Sequence, residues 1–262
     1  IRMTNAKEGT KNAPAEKISD AFKEDSLSEI SAEVEKNIRV LLKNGDSIYY
    51  DCLYLCCDTS AVLEEQTDFK SESFKQKETE TGTLTQKKIR YRNLKKKELV
   101  NIKARMEEAK IQKVLLTPSD KNGLIYFCDK DGNQKGEGYS GCFYIEKTKE
   151  GLVVVNEVLI ETYLKYVLPS EMPTYFSKEA LMAQAVCART FAYRQMKGKE
   201  YAAFGADLDD STSFQVYHKR PRFEVTDKAV EETKGLVLTY GKELITCYYY
   251  STSCGYSQSM EV

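Results

Sequence analysis

The chain has 262 residues and a mass of 29.9 kDa, enough for one large domain or two modest ones. A hydrophobic content of 41%, with 11% aromatics, excludes general disorder, while 30% charge implies a heavily solvated exterior. The 39 basic and 40 acidic side chains nearly cancel, so global charge points to no nucleic acid or other polyelectrolyte partner.

Residues 1–35 read as a polar tail, with eight acidic side chains against five basic ones. The start has neither an initiator Met nor a hydrophobic leader. It therefore reads as a domain trimmed from a longer protein, with membrane contact only through an anchor outside this chain. A strand is predicted at Ile38–Leu42, ended by the turn Asn44-Gly45-Asp46, with Ser47–Leu55 as its return. Residues 64–85 have few apolar side chains and read as a loop or insertion. From Gln86 to Lys113, Leu94, Leu99, Ile102, Met106 and Ile111 recur at near-helical spacing, among eleven Lys or Arg and three Glu. This predicts a basic helical insertion over about 64–113. It serves either as a solvated face or as a patch for an anionic polymer. Strands follow at Gly123–Cys128 and Gly141–Lys147, joined across Asp129–Gly132, and at Leu152–Leu159.

The remaining residues change character. Ile160–Val167 reads as a short helix stopped by Leu168-Pro169, and a second proline follows at 173. Ser177 is placed to cap a helix running to Lys197, with Glu179 in its first turn and Gly198 closing it. A further helix is expected over Asp227–Lys234 between Thr226 and Gly235, then a hairpin of Leu236–Tyr240 and Glu243–Tyr250. The fold class is therefore α+β. A β-rich N-terminal half (36–150) with the helical insertion packs on a helix-centred catalytic half (151–262).

On the long helix, Glu179, Thr190, Arg194 and Lys197 share one arc, taken as the solvent face. Arg189 lies among Met182, Ala185, Val186, Tyr193 and Met196, and Gln184 shares an arc with Ala188 and Phe191. A guanidinium on an apolar stripe needs a carboxylate, a carbonyl or water. Either Arg189 ties down a neighbouring loop, or Arg189 and Gln184 face a polar pocket. Glu171 fits such a pocket, because prolines at 169 and 173 hold it with little backbone freedom. A fixed, partly desolvated carboxyl is what a general acid requires.

The runs Tyr163-Leu-Lys-Tyr-Val-Leu-Pro-Ser-Glu-Met-Pro173 and Glu179-Ala-Leu-Met-Ala-Gln-Ala-Val-Cys-Ala-Arg-Thr-Phe-Ala192 resemble the signature of the stage II sporulation protein D family, which includes the amidase enhancers. Further blocks agree in order: Asp210–Tyr217, Ala229–Leu238 and Tyr249–Gly255, with Ile38–Leu42 similar to the family's first strand. The resemblance implies a peptidoglycan lytic transglycosylase that cleaves between N-acetylmuramic acid and N-acetylglucosamine, with Glu171 as its acid/base. It implies that Gln184, Arg189, Gln215, Tyr217, Ser251 and Ser253 line the substrate cleft, with Arg189 orienting Glu171 and Tyr217 stacking on a sugar ring. The expected partners are peptidoglycan glycan strands and a cell-wall amidase or endopeptidase, in an extracytoplasmic location.

Some relatives bind zinc through a His and a Cys in the block at Thr212–Gln215. Here Ser213 and Phe214 stand there, so no metal and no cofactor are expected. The eight cysteines include no CxxC, and there is one histidine, which also disfavours structural zinc. Two rival readings are a non-catalytic glycan-binding amidase enhancer and a cysteine hydrolase using Cys187 or Cys254 with His218.

Overall fold

In the computed structural model, which describes residues 36–73, 82–198, 200–241 and 243–250, the elements follow in this order. β1 (Asn37–Leu42) and β2 (Tyr54–Cys57) come first, then two thirteen-residue strands, β3 (Ala61–Ser73) and β4 (Gly82–Leu94). Next are β5 (Val100–Asn101), α1 (Ile102–Glu108), β6 (Lys113–Pro118), β7 (Ile125–Cys128), β8 (Gln134–Tyr139), β9 (Cys142–Lys147) and β10 (Leu152–Leu159). The remainder holds α2 (Ile160–Glu171), α3 (Lys178–Gln195), β11 (Leu208–Asp209), α4 (Glu224–Glu232), β12 (Thr239–Tyr240) and β13 (Glu243–Leu244). The chain is an α+β protein, β-rich in its first half.

A seven-stranded sheet runs β11-β1-β10-β9-β6-β3-β4, and a four-stranded sheet runs β5-β2-β7-β8. The run Leu-Val-Val-Val at the start of β10 is buried on both faces, as β-branched residues at the centre of a sheet should be. Ile38, Val40, Leu42, Val154 and Ile145 join the main core, which continues through Leu55 and Ile125 of the smaller sheet and through Leu164, Val167, Ala185 and Ala188 of the helices. Leu41, Val153 and Val155 face the other way, under Ala206.

Among the described residues, the predicted basic helical insertion is helical only over the short α1. β3 pairs with β4 antiparallel from Ala61↔Leu94 to Ser73↔Gly82, so residues 64–73 and 82–94 form two arms of a sheet. Leu94, Ile102, Met106 and Ile111 are buried as their spacing predicts, delivered to the core by a strand end, a turn and the short α1, whereas Leu99 of the same periodic set is exposed. Asn101 caps α1 by accepting from Ala104 N–H, at 3.0 Å. A local period cannot register a pairing partner twenty or thirty residues distant.

Two hairpins are also reassigned. The Asn44–Ser47 turn forms, but β1 pairs with β10 and β11, and the following chain enters the other sheet as β2. The turn after β7 leads to β8, which sequence patterning misses because it is Gln-Lys-Gly-Glu-Gly-Tyr. Tyr126 packs directly over Gly138, where a Cβ would lie 2.5 Å from its ring. β9 then returns to the large sheet.

The helical half follows its local signals more closely. Ser177 caps α3, accepting from Ala180 N–H. α2 does not stop at Leu168 but runs through Pro169 to Glu171. Ser170 Oγ donates to the Tyr166 carbonyl at 2.8 Å and Met172 N–H to that of Leu168 at 3.0 Å, so the last turn closes despite the missing proline donor. α4 begins three residues earlier than its predicted start, at Glu224, and Thr226 donates its hydroxyl to the Phe223 carbonyl instead of capping.

Candidate active site

Glu171 ends α2, half-buried, with Oε1 accepting the backbone N–H of Val216 at 2.6 Å. Burial pushes its carboxyl above the usual carboxylate range, and the Val216 hydrogen bond pulls in the opposite direction without cancelling the effect. The segment presenting that N–H is anchored on both sides. Gln215 is fully buried: its Oε1 accepts from Tyr163 of α2 (3.1 Å), and its Nε2 donates to the Ala188 carbonyl of α3 (3.2 Å) and to the Tyr249 hydroxyl (2.9 Å). Tyr217, also buried, donates its hydroxyl to Asn156 Oδ1 of β10 at 2.9 Å. Asn156 Nδ2 in turn holds the Ser140 and Cys142 carbonyls. The peptide between these anchors therefore points at Glu171 with little freedom.

Arg189 follows the first of its two sequence readings and ties down neighbouring chain. It is fully buried, and all five of its N–H groups are taken. Nε and Nη2 fork onto Glu161 at 2.9 and 2.8 Å, Nη2 also reaches the Val230 carbonyl, and Nη1 meets Thr233 Oγ1 and the Leu236 carbonyl. No described hydrogen bond joins Arg189 to Glu171. Arg189 ties α2, α3 and the turn after α4 together. Thr190, expected on the solvent face, is buried as well: it accepts Leu238 N–H and donates to the Val186 carbonyl. Tyr217 packs tilted against Tyr163 and is too enclosed to stack on a sugar. Gln184 is buried on α3. Ser251 and Ser253 lie outside the described residues, as does Cys254.

The cysteine–histidine pairing of the rival reading does not form among the described residues. His218 is sandwiched between Tyr139 and Tyr166, each 3.9 Å away centroid to centroid. Burial drives the imidazole down to about 3, so it is neutral at physiological pH. Asp210, whose peptide N–H bonds the Leu41 carbonyl, accepts Lys43 N–H, and burial pushes its carboxyl up to about 6. Sequence reasoning gives no notice of the Val216 donor, because a backbone N–H has no side-chain signature. No described group of three or more His, Cys, Asp or Glu is arranged to hold a metal.

A half-buried carboxyl at a helix end, opposed by one fixed backbone donor, on an α+β scaffold, defines a candidate acid/base site. Residues 148–240 match the SpoIID family model, described as Stage II sporulation protein. The Amidase enhancer of Bacillus subtilis is 44% identical over 96 residues, covering 37% of this chain and 12% of the relative. Stage II sporulation protein D of the same organism is 37% identical over 122 residues, covering 41% and 35%. An uncharacterized protein of Brachyspira hyodysenteriae is 33% identical over 143 residues, covering 54% and 38%. The matched stretch thus spans well under half of each relative's length. No solved structure gives a significant match.

Proposed function

We propose that the chain cleaves peptidoglycan glycan strands as a lytic transglycosylase, with Glu171 as its single acid/base. The observation carrying this reading is the environment of Glu171. Desolvation favours the protonated carboxyl that must deliver a proton, and Val216 N–H stabilises the carboxylate that remains. Protonated Glu171 donates to the glycosidic oxygen as the bond between C1 of N-acetylmuramic acid and that oxygen breaks. The muramoyl C6 hydroxyl then attacks C1 and gives its proton to Glu171, leaving a 1,6-anhydro end and the starting protonation state. Because the sugar supplies its own nucleophile, no second carboxylate or water is needed. Gln215 acts as a positioning residue through Val216. Tyr175, four residues beyond Glu171 and largely exposed, offers an aromatic face to a sugar ring.

Sporulation or wall remodelling, outside the cytoplasmic membrane and beside a cell-wall amidase, is the setting this chemistry fits. The relative named Amidase enhancer favours a second reading, a glycan-binding module that stimulates an amidase without turnover. Incubating the chain with purified peptidoglycan and analysing products by mass spectrometry separates the two. Wild type should release anhydro-ended fragments and Glu171→Gln should not. Glycan binding without anhydro products in either protein would favour the enhancer.

A further inference from the structure

Strand alternation sorts the cysteines of the smaller sheet between its two faces. Leu55, Cys57 and Ile125 join the main core, while Cys56 of β2 and Cys128 of β7 point to the opposite face. The register sets Tyr54 against Cys128 and Cys56 against Tyr126, so the two cysteines are diagonal neighbours on one face. Their sulfurs meet between the strands at 3.2 Å, with Cys128 Sγ donating to Cys56 Sγ. A sulfur–sulfur bond spans ~2.05 Å, so closure asks for a small approach and no change of register. Gln134 Nε2 of β8 also donates to Cys56 Sγ, at 3.8 Å, and so frames the pair from the next strand. Both side chains are buried, and both are free thiols.

We propose that Cys56 and Cys128 are a disulfide-forming site that clasps β2 to β7. The chemistry is thiol–disulfide exchange with a disulfide donor. Cys128 loses its proton, attacks one donor sulfur and expels the first donor thiolate. Cys56 then loses its proton and attacks Cys128 Sγ, closing the protein disulfide and expelling the second. Two protein thiols become one disulfide while one donor disulfide becomes two thiols, so electrons and protons balance. Cys128 is placed for the first step because it lines a cavity of about 500 Å³, together with Tyr54 and Lys135, through which a donor can reach it. Burial pushes its thiol up to about 12, which slows exchange in both directions and makes the bond a lasting clasp rather than a switch.

The clasp sits at the neck of a long excursion. After β2 the chain leaves the smaller sheet, supplies β3, β4 and β6 to the seven-stranded sheet, and returns as β7. Joining Cys56 to Cys128 closes that excursion where it begins and ends, which removes the most freedom from the unfolded chain. Two neighbours supply internal contrasts. Cys57 is next in sequence but faces the core, and Cys52 lines the same cavity as Cys128 but is exposed.

The test is to equilibrate the chain with oxidised and reduced glutathione, alkylate free thiols, and map linked peptides by mass spectrometry. The expected result is a Cys56–Cys128 linked peptide while Cys52 and Cys57 are alkylated. Tm should rise by roughly 5–10 °C, since the bond closes a loop of about 70 residues. Cys56→Ser and Cys128→Ser should each abolish the linkage and the rise, whereas Cys52→Ser and Cys57→Ser should abolish neither. Alkylated Cys56 and Cys128 in the oxidising buffer, either one linked to Cys52 or Cys57, or a linked pair with no rise in Tm, would overturn the proposal. The readout is linkage and melting, so it stands apart from glycan cleavage.

Discussion

Two carboxylates of α2 lie ten residues apart and live in opposite circumstances. Glu161 receives a forked guanidinium and the Gly235 N–H, and its partner Arg189 has every donor occupied. Glu171 receives the Val216 N–H as its described hydrogen bond and is half-buried. Saturation marks a group that holds the frame, since a buried charge is tolerated only when fully paired. Incomplete pairing with partial burial raises a carboxyl's pKa and keeps it available for proton transfer. The contrast makes separable predictions.

Replacing Glu171 by Gln should lower glycan cleavage about 10³-fold, roughly 4 kcal/mol of barrier, with Tm unchanged or higher; product release and melting curves check this. A large Tm loss would place Glu171 with the frame instead. Arg189→Ala should cost about 3–4 kcal/mol of folding stability in urea denaturation, because Glu161 and two carbonyls lose their donors. Residual activity should then track the folded fraction.

Asp210 tests the same logic by pH. Its folded pKa, raised to about 6 from 3.8, means that the native state holds the proton more tightly than the unfolded chain. Wild type therefore loses stability as pH rises from about 4 to 6. Asp210→Asn, which can still accept Lys43 N–H, should not, so its advantage should grow by about 2–3 kcal/mol across that window and then level off. A constant difference from pH 4 to 8 would contradict the buried setting. Ser177→Ala should be the smallest change, about 1 kcal/mol, by removing the α3 cap.

What was legible in the sequence divides along the same lines. Local signals located α3 and its cap, the all-apolar start of β10, and Glu171 between its prolines. The helical wheel showed that Arg189 leaves the solvent face, but a wheel carries no information about partners. The pairing of Arg189 with Glu161, across 28 residues, had to come from the fold. β3 and β4 were misread for a related reason. Helical spacing of buried residues across 94–111 describes which side chains enter the core, not which backbone carries them. The Val216 donor was invisible, because its identity as valine is irrelevant to the hydrogen bond it makes.

The Tyr139–His218–Tyr166 stack bears on how such a protein can be inherited. Tyr166 and His218 lie within residues 148–240, while Tyr139 comes from β8 of the smaller sheet, upstream of that stretch. The matched segment is therefore not a self-sufficient cassette: a chimera joining it to a foreign β-rich partner must import a flat ring at the position of Tyr139 or leave one face of the imidazole bare. Descent by whole-gene divergence preserves that match, and recombination at the boundary breaks it.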